Sequence, residues 1–256
     1  GSGVIVLLGA SIQKQKAISF RGIEINIDES NGNFFISKND VLQILRDNRV
    51  NFKSAKPAAA INYRQLEQVL ENNPYVEHAE IYTDANEKIT INIQQRTPVL
   101  RIINNQSVSY YLDNHGKRMP LSSNFTARVQ VATGFIFTNA DHQSIADSIT
   151  EKNLFVLADF IQRDSFLSSL TEQIIINKQN EIEIIPMIGN HSILIGDTEN
   201  LNEKFDRLKI FYRETIGHVN LNQYSMINLK YDNKIYCVRR GVEATINSST
   251  INLNSN

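Results

Sequence analysis

Two runs of isoleucine at every second position, Ile23-Ile25-Ile27 and Ile89-Ile91-Ile93, bracket a stretch whose apolar residues recur every three to four positions. Alternation at period two belongs to a strand with one buried face, and recurrence near 3.6 to a helix with one apolar stripe. A chain that changes period in this order has few ways to bury every apolar face at once. Ser37-Lys38-Asn39-Asp40 offers an N-cap hydroxyl with an acid three residues on, and Val41, Leu42, Ile44 and Leu45 follow on one helical face. A second helix is predicted from about Asn62, with Tyr63, Leu66, Val69 and Leu70 as its stripe. Asn72-Asn73-Pro74 ends it, because proline disfavours helix in the residue before it. Strands are then predicted over 76–83, with Ala79 and Ile81 on one face, and around the second isoleucine run, joined by a turn at 84–87. The order strand, helix, helix, strand, strand predicts a sheet with two helices on one face.

After Arg96-Thr97-Pro98 the pattern turns β-rich, with strands predicted over 99–103, 108–112, 129–132 and 135–137. A helix over 151–163 lines up Leu154, Leu157, Ala158 and Ile161, and a meander follows over 174–176, 182–185 and 192–195. A helix over 201–214 carries Leu201, Phe205, Leu208 and Tyr212 as its buried stripe. A last pair of strands, 225–231 and 234–239, turns at Asp232-Asn233. The remainder, 240–256, is poor in large apolar residues and rich in Ser and Asn, and is expected to be a flexible tail. At the other end, Gly1-Ser2-Gly3 has the look of a tag scar, and the apolar run Val4-Ile5-Val6-Leu7-Leu8-Gly9-Ala10 gives way to Gln13-Lys14-Gln15-Lys16. Seven apolar residues fall short of the roughly 20 that span a bilayer. They are expected to be the outer end of a transmembrane helix, the alternative being a short buried strand.

The chemistry-bearing residues form no recognised catalytic pattern. A net charge of −1 supplies no bulk attraction to nucleic acid or anionic lipid, and no basic run exceeds the pair Arg239-Arg240. The single cysteine, Cys237, sits in a predicted strand, where a buried inert thiol is the plain reading. No phosphate-binding glycine loop, dinucleotide fingerprint, His-Glu-x-x-His or Gly-x-Ser-x-Gly occurs. The five histidines lack ligand-like spacing, so neither a metal nor a cofactor is expected. Ser11-Ile12-Gln13-Lys14 matches Ser-x-x-Lys only formally, since its companion motifs are missing. Glu181 and Glu183 share one strand face, as two solvated acids do. The Asn-x-Ser/Thr triplets at Asn124, Asn190 and Asn247 arise readily in so Asn-rich a chain. An enzyme is not expected.

The block from Phe20 to Arg96 resembles a POTRA domain. Asn73-Pro74-Tyr75-Val76, Ala79-Glu80-Ile81-Tyr82 and the run from Ile89 to Arg96-Thr97-Pro98 are similar to the N-P-x-V, A-x-V and L-x-I-x-V-x-x-R-x-P segments of the FtsQ/DivIB family of bacterial division proteins. Further on, Ser109-Tyr110-Tyr111-Leu112-Asp113 with Gly116 and Met119-Pro120-Leu121 resembles the family's aromatic, Asp, Gly and Pro-Leu segment. Ile185-Pro186, Ile195-Gly196 and the helix after Leu201 extend the likeness, and Ile227-Asn228-Leu229-Lys230-Tyr231 resembles its final D-L-R-Y strand. The flavour is nearest the Bacteroidetes branch. Asn228 stands where an Asp is common, and Lys234-Ile235 where the proteobacterial form has small residues.

The resemblance implies an α+β protein. Tag scar and membrane-helix end occupy 1–19, a β-α-α-β-β POTRA domain 20–96, a β-rich domain with additional helices 97–239, and the tail 240–256. It further implies a single-pass inner-membrane protein with this portion in the periplasm, a non-enzymatic divisome scaffold. Its partners would be FtsB/DivIC-like and FtsL-like proteins, with other division proteins meeting the POTRA domain. Partner binding would proceed by strand addition at the C-terminal edge, which is expected to lie open. The contact residues implied are Asn228, Lys230, Tyr231, Asp232, Asn233, Lys234 and Tyr236, with Arg207 on the preceding helix. The alternative is a POTRA-containing accessory of outer-membrane protein assembly or secretion.

Overall fold

The computed structural model describes residues 23–48, 62–83, 88–137, 149–215, 220–232 and 234–241, together with the backbone of 5–6 and 249–251. The chain divides into two compact units, 1–97 with 122–127, and 98–121 with 128–256.

In the first unit β2 (Ile23–Asp28) is followed by α1 (Lys38–Asp47), α2 (Tyr63–Glu71), β3 (Val76–Thr83) and β4 (Ile89–Gln95). β4 lies between β2, to which it runs parallel, and β3, to which it runs antiparallel. The predicted cap forms in full: Ser37 Oγ accepts from the Asp40 N–H, and Asp40 accepts from the Ser37 N–H at 2.7 Å. Ile25, Val41, Leu70, Ala79 and Ile91 are wholly buried in one core. A buried amide holds the loop between β2 and α1. The Gln95 carbonyl oxygen accepts from the Phe35 and Ile36 N–H groups, and its NH2 donates to the carbonyls of Asp28 and Asn33. All four hydrogen-bonding capacities of that side chain are met, which is the condition for burying it. Phe125, from 122–127, packs edge-on against Phe34 and Phe35.

The structure corrects the reading of the first residues. Ile5–Val6 form β1, a strand paired antiparallel with Ile23 and Glu24 of β2, in line with the strand alternative and not with the end of a membrane helix. The other residues of 1–19 lie outside those described. Among the described residues no helix is long and apolar enough to cross a membrane.

The second unit is one ten-stranded sheet with helices. Its elements in chain order are β5 (Pro98–Ile103), β6 (Ser109–Asp113), β7 (Arg118–Pro120), β8 (Gln130–Gly134), α3 (Ile149–Gln162), α4 (Ser165–Leu170), β9 (Thr171–Ile176), β10 (Ile182–Pro186), β11 (Ser192–Gly196), α5 (Leu201–Thr215), β12 (Tyr224–Asn228), β13 (Ile235–Arg239) and β14 (Ser249–Ile251). The spatial order is β14-β13-β12-β11-β10-β9-β8-β5-β6-β7. β8 to β9 and β11 to β12 are parallel neighbours, so each pair needs a crossover, supplied by α3 with α4 and by α5. The predicted stripes Leu154, Leu157, Ala158, Ile161 and Leu201, Phe205, Leu208, Tyr212 all enter the core, and Phe160 stacks on Phe205 between α3 and α5.

One predicted strand fails here and one helix went unpredicted, each for a local reason. Residues 135–137 do not form a strand, because Gly134 at φ +101° lets the chain leave the sheet hard against the Ile176 carbonyl, where a Cβ would sit only 2.2 Å away. The six residues of α4 carry too short a pattern to register as a helix; the Asp164 carboxylate caps it by accepting the Leu167 N–H.

Candidate partner-binding edge

β12 and β13 form the antiparallel ribbon that holds most of the residues singled out in the sequence, in register Asn228 to Tyr236 and Ile227 to Cys237. Their inward positions explain the alternation: Ile227, Leu229, Ile235 and Cys237 are fully buried. Burial in this apolar setting pushes the Cys237 thiol up to about 11, the behaviour of a structural cysteine.

The turn between the strands is built by side chains. Asn228 Oδ1 accepts the Lys230 N–H at 3.0 Å, an Asx turn that directs the chain out of β12. The Leu229 N–H donates to the Leu194 carbonyl, and the Leu229 carbonyl accepts from Arg207 Nη2 at 3.1 Å. Arg207 therefore braces the turn from α5, with its Nε buried and without a hydrogen-bond partner. Lys230 reaches back along the sheet to Glu181, Nζ to Oε1 2.5 Å, lying over Gly196, where a Cβ would collide with its stem at 2.7 Å. The ion pair holds the Glu181 carboxyl below and the Lys230 ammonium above their ordinary values. Tyr231, 54% exposed, stands edge-on to Tyr236 with ring centroids 5.2 Å apart, and Asp232 and Lys234 are exposed beside them. Asn233 lies outside the described residues.

The candidate residues thus separate into two roles. Tyr231, Asp232 and Lys234 are exposed with Tyr236 half-buried beside them, whereas Asn228, Lys230 and Arg207 hold the turn in place. Sequence reading missed the anchor at the far end of the ribbon. The Arg240 N–H donates to the Gln223 carbonyl, and its guanidinium donates to the carbonyls of Asn190 and Tyr224. Beside it His191 is buried, its Nε2 2.8 Å from the Tyr212 hydroxyl and its Nδ1 without a partner. Burial first, and the Arg240 charge second, hold that imidazole below its ordinary pKa. Only the apolar surroundings of His191, Pro186-Met187-Ile188 before it and Ile193 after it, hinted at burial in the sequence.

The outer flank of β13 is not open, which corrects the expected free edge; of the expected tail, 242–248 and 252–256 lie outside the described residues. Ser249–Ile251 lie antiparallel on it as β14, Ile235 opposite Ile251, Tyr236 opposite Thr250 and Cys237 opposite Ser249. These three pairs are the ones formed by described residues. Among the described residues, no group of three or more His, Cys, Asp or Glu side chains gathers as a metal site would require.

Comparison with known proteins supplies two matches. Residues 97–238 match the family model described as FtsQ/DivIB, C-terminal related, and residues 20–94 match the model of a POTRA-like domain. No curated protein matches the chain.

Proposed function

This chain belongs to the FtsQ/DivIB, C-terminal related family and carries a POTRA-like domain ahead of that region, and from this premise we propose that it is a non-enzymatic scaffold of the bacterial division machinery. The family points to a division-related scaffold. The finer reading is that the chain is anchored to the inner membrane by a single helix outside the described residues, and that its two domains face the periplasm. On this reading its β13 edge receives an extended segment of an FtsB/DivIC-like protein held together with an FtsL-like one. The POTRA-like domain would meet other division proteins.

One observation carries the reading. Among the described residues the outer flank of β13 is engaged by three residue pairs, next to an exposed Tyr231 that stands edge-on to a half-buried Tyr236 at the tip of the same ribbon. Main-chain bonding along an edge gives affinity, and aromatic anchors with polar tips give selectivity. The match across 97–238 favours this over the accessory of outer-membrane assembly.

Co-purification with the periplasmic segments of the organism's FtsB/DivIC-like and FtsL-like proteins tests it. Ile235 is fully buried, so proline there would disturb the core as well as the edge. Tyr231→Ala with Tyr236→Ala is the cleaner variant. We expect the pair to weaken capture at least about tenfold, as loss of a central aromatic anchor does, with the circular dichroism spectrum unchanged. Undiminished capture by the double variant would sink the assignment of this surface.

A further inference from the structure

Resting on the reading that β13 receives a partner strand, we propose that β14 is a resident place-holder: the chain's own tail occupies the docking edge and is displaced when an extended peptide binds. The backbone groups on the outer flank of Ile235, Tyr236 and Cys237 are already paired with Ile251, Thr250 and Ser249. A second strand cannot use them while the tail does. β14 spans three described residues, short even for an edge strand. An incoming strand that follows all five residues of β13 can replace every described tail pairing. The tail holds its place by proximity. It is tethered through residues 242–248, a linker length that corresponds to an effective concentration of about millimolar. Each exchanged backbone bond is worth only a modest net amount, because water competes for the same groups.

The first unit shows that this closure is a choice. The N–H groups of Ala79 and Ile81 on the outer flank of β3 are taken by the Glu71 and Glu67 carboxylates of α2. Those carboxylates sit on a helix packed into the core through Leu66 and Leu70, so they stay beside the strand even when a bond breaks. A tail strand can leave and be replaced by a group of its own kind. The consequence is a regulated edge, in which apparent affinity for the partner is lowered by the fraction of time the tail is seated.

The test uses the intact chain and a version with Ser249→Pro, Thr250→Pro and Ile251→Pro, which removes every inward N–H of β14 in either register. The probe is a synthetic peptide of residues 246–256 of this chain, titrated by NMR. The peptide is expected to bind the proline variant with a dissociation constant of order 0.1–1 mM, as a millimolar tether implies. Binding to the intact chain should be about three- to tenfold weaker. Equal binding to both chains, or none to the variant, overturns the place-holder. Partner capture separates this proposal from the one beneath it. Capture by neither chain removes the scaffold reading while leaving the peptide result standing. A gain of about three- to tenfold in the variant supports displacement, whereas equal capture overturns it. Weaker capture by the variant also overturns it, since the partner would then be docking on β14 itself.

Discussion

The two units close their sheet edges with different materials. On β3 of the first unit, α2 presents Glu67 and Glu71 one helical turn apart, and each carboxylate accepts a strand N–H, 2.9 Å from Ile81 and 3.1 Å from Ala79. On β7, at one end of the second unit's sheet, Arg118 reaches the α3 carboxylate of Glu151, Nη2 to Oε2 2.7 Å and Nε to Oε1 2.9 Å. The Tyr110 hydroxyl also donates to that carboxylate, at 2.6 Å. At the other end, the outermost strand is β14, three described residues of the chain's own backbone laid on β13. Side chains from a packed helix make an edge permanent, and borrowed backbone makes it exchangeable. An unguarded edge invites pairing with any passing strand, so a protein that must bind at one edge gains by fixing the others.

The largest expected effect lies at Glu151. It is fully buried, and the side chain of Arg118 is only 11% exposed, so Glu151→Ala removes the carboxylate that neutralises a nearly buried guanidinium. Breaking one partner of such a pair typically costs about 3–5 kcal/mol. Urea denaturation of the variant should show a loss of that size; a loss below about 1 kcal/mol, the level of an exposed pair, would mean that β7 is not held by this contact.

A smaller effect is expected from Glu67→Ala with Glu71→Ala. Both strand amides are only partly buried, so water replaces some of what the carboxylates gave, and about 1 kcal/mol each is the appropriate scale. The sharper readout is hydrogen exchange. The amides of Ala79 and Ile81 should exchange faster in the double variant, and the opened β3 edge should promote concentration-dependent self-association. Unchanged exchange at those two amides would break the contrast between a fixed edge and an exchangeable one.

What the sequence disclosed follows the same division. Periodicity is a property of single elements, so the stripes of α3 and α5, the isoleucine strands and the capping box at Ser37 and Asp40 were all legible. Edge closure depends on partners far apart in the chain. Glu151 reads as one more acid in the first turn of a helix until Arg118, 33 residues earlier, is seen beside it. Gln95 reads as the polar end of a strand, though it holds the loop some 60 residues before it. The tail carried a disorder-like composition, yet three residues with an unpaired edge in reach are enough for a strand. The tyrosines at the ribbon tip were found because exposed aromatics beside a turn stand out by residue type. Arg240 was passed over because a lone basic residue at a strand end does not.

The smallest expected effect is a pH dependence seated where the exchangeable edge is rooted. His191 is buried against Tyr212 of α5, and Arg240, the last anchor before the tail, is the charge that faces it. Both burial and that charge disfavour the imidazolium, so the folded state holds His191 below the value of about 6.5 that it has when unfolded. An unfolded chain that binds a proton more readily gains on the folded one as the pH drops. The contribution is therefore fully present above about pH 6.5 and is lost progressively as the pH falls through the folded value. Denaturant midpoints measured from pH 7.5 to 5 should decline, and His191→Gln, which keeps a polar group without a titrating one, should flatten the part of that decline due to this site. If wild type and variant fall in parallel, the titration belongs elsewhere, and the Arg240 anchor grips β12 and the chain at Asn190 without reference to pH.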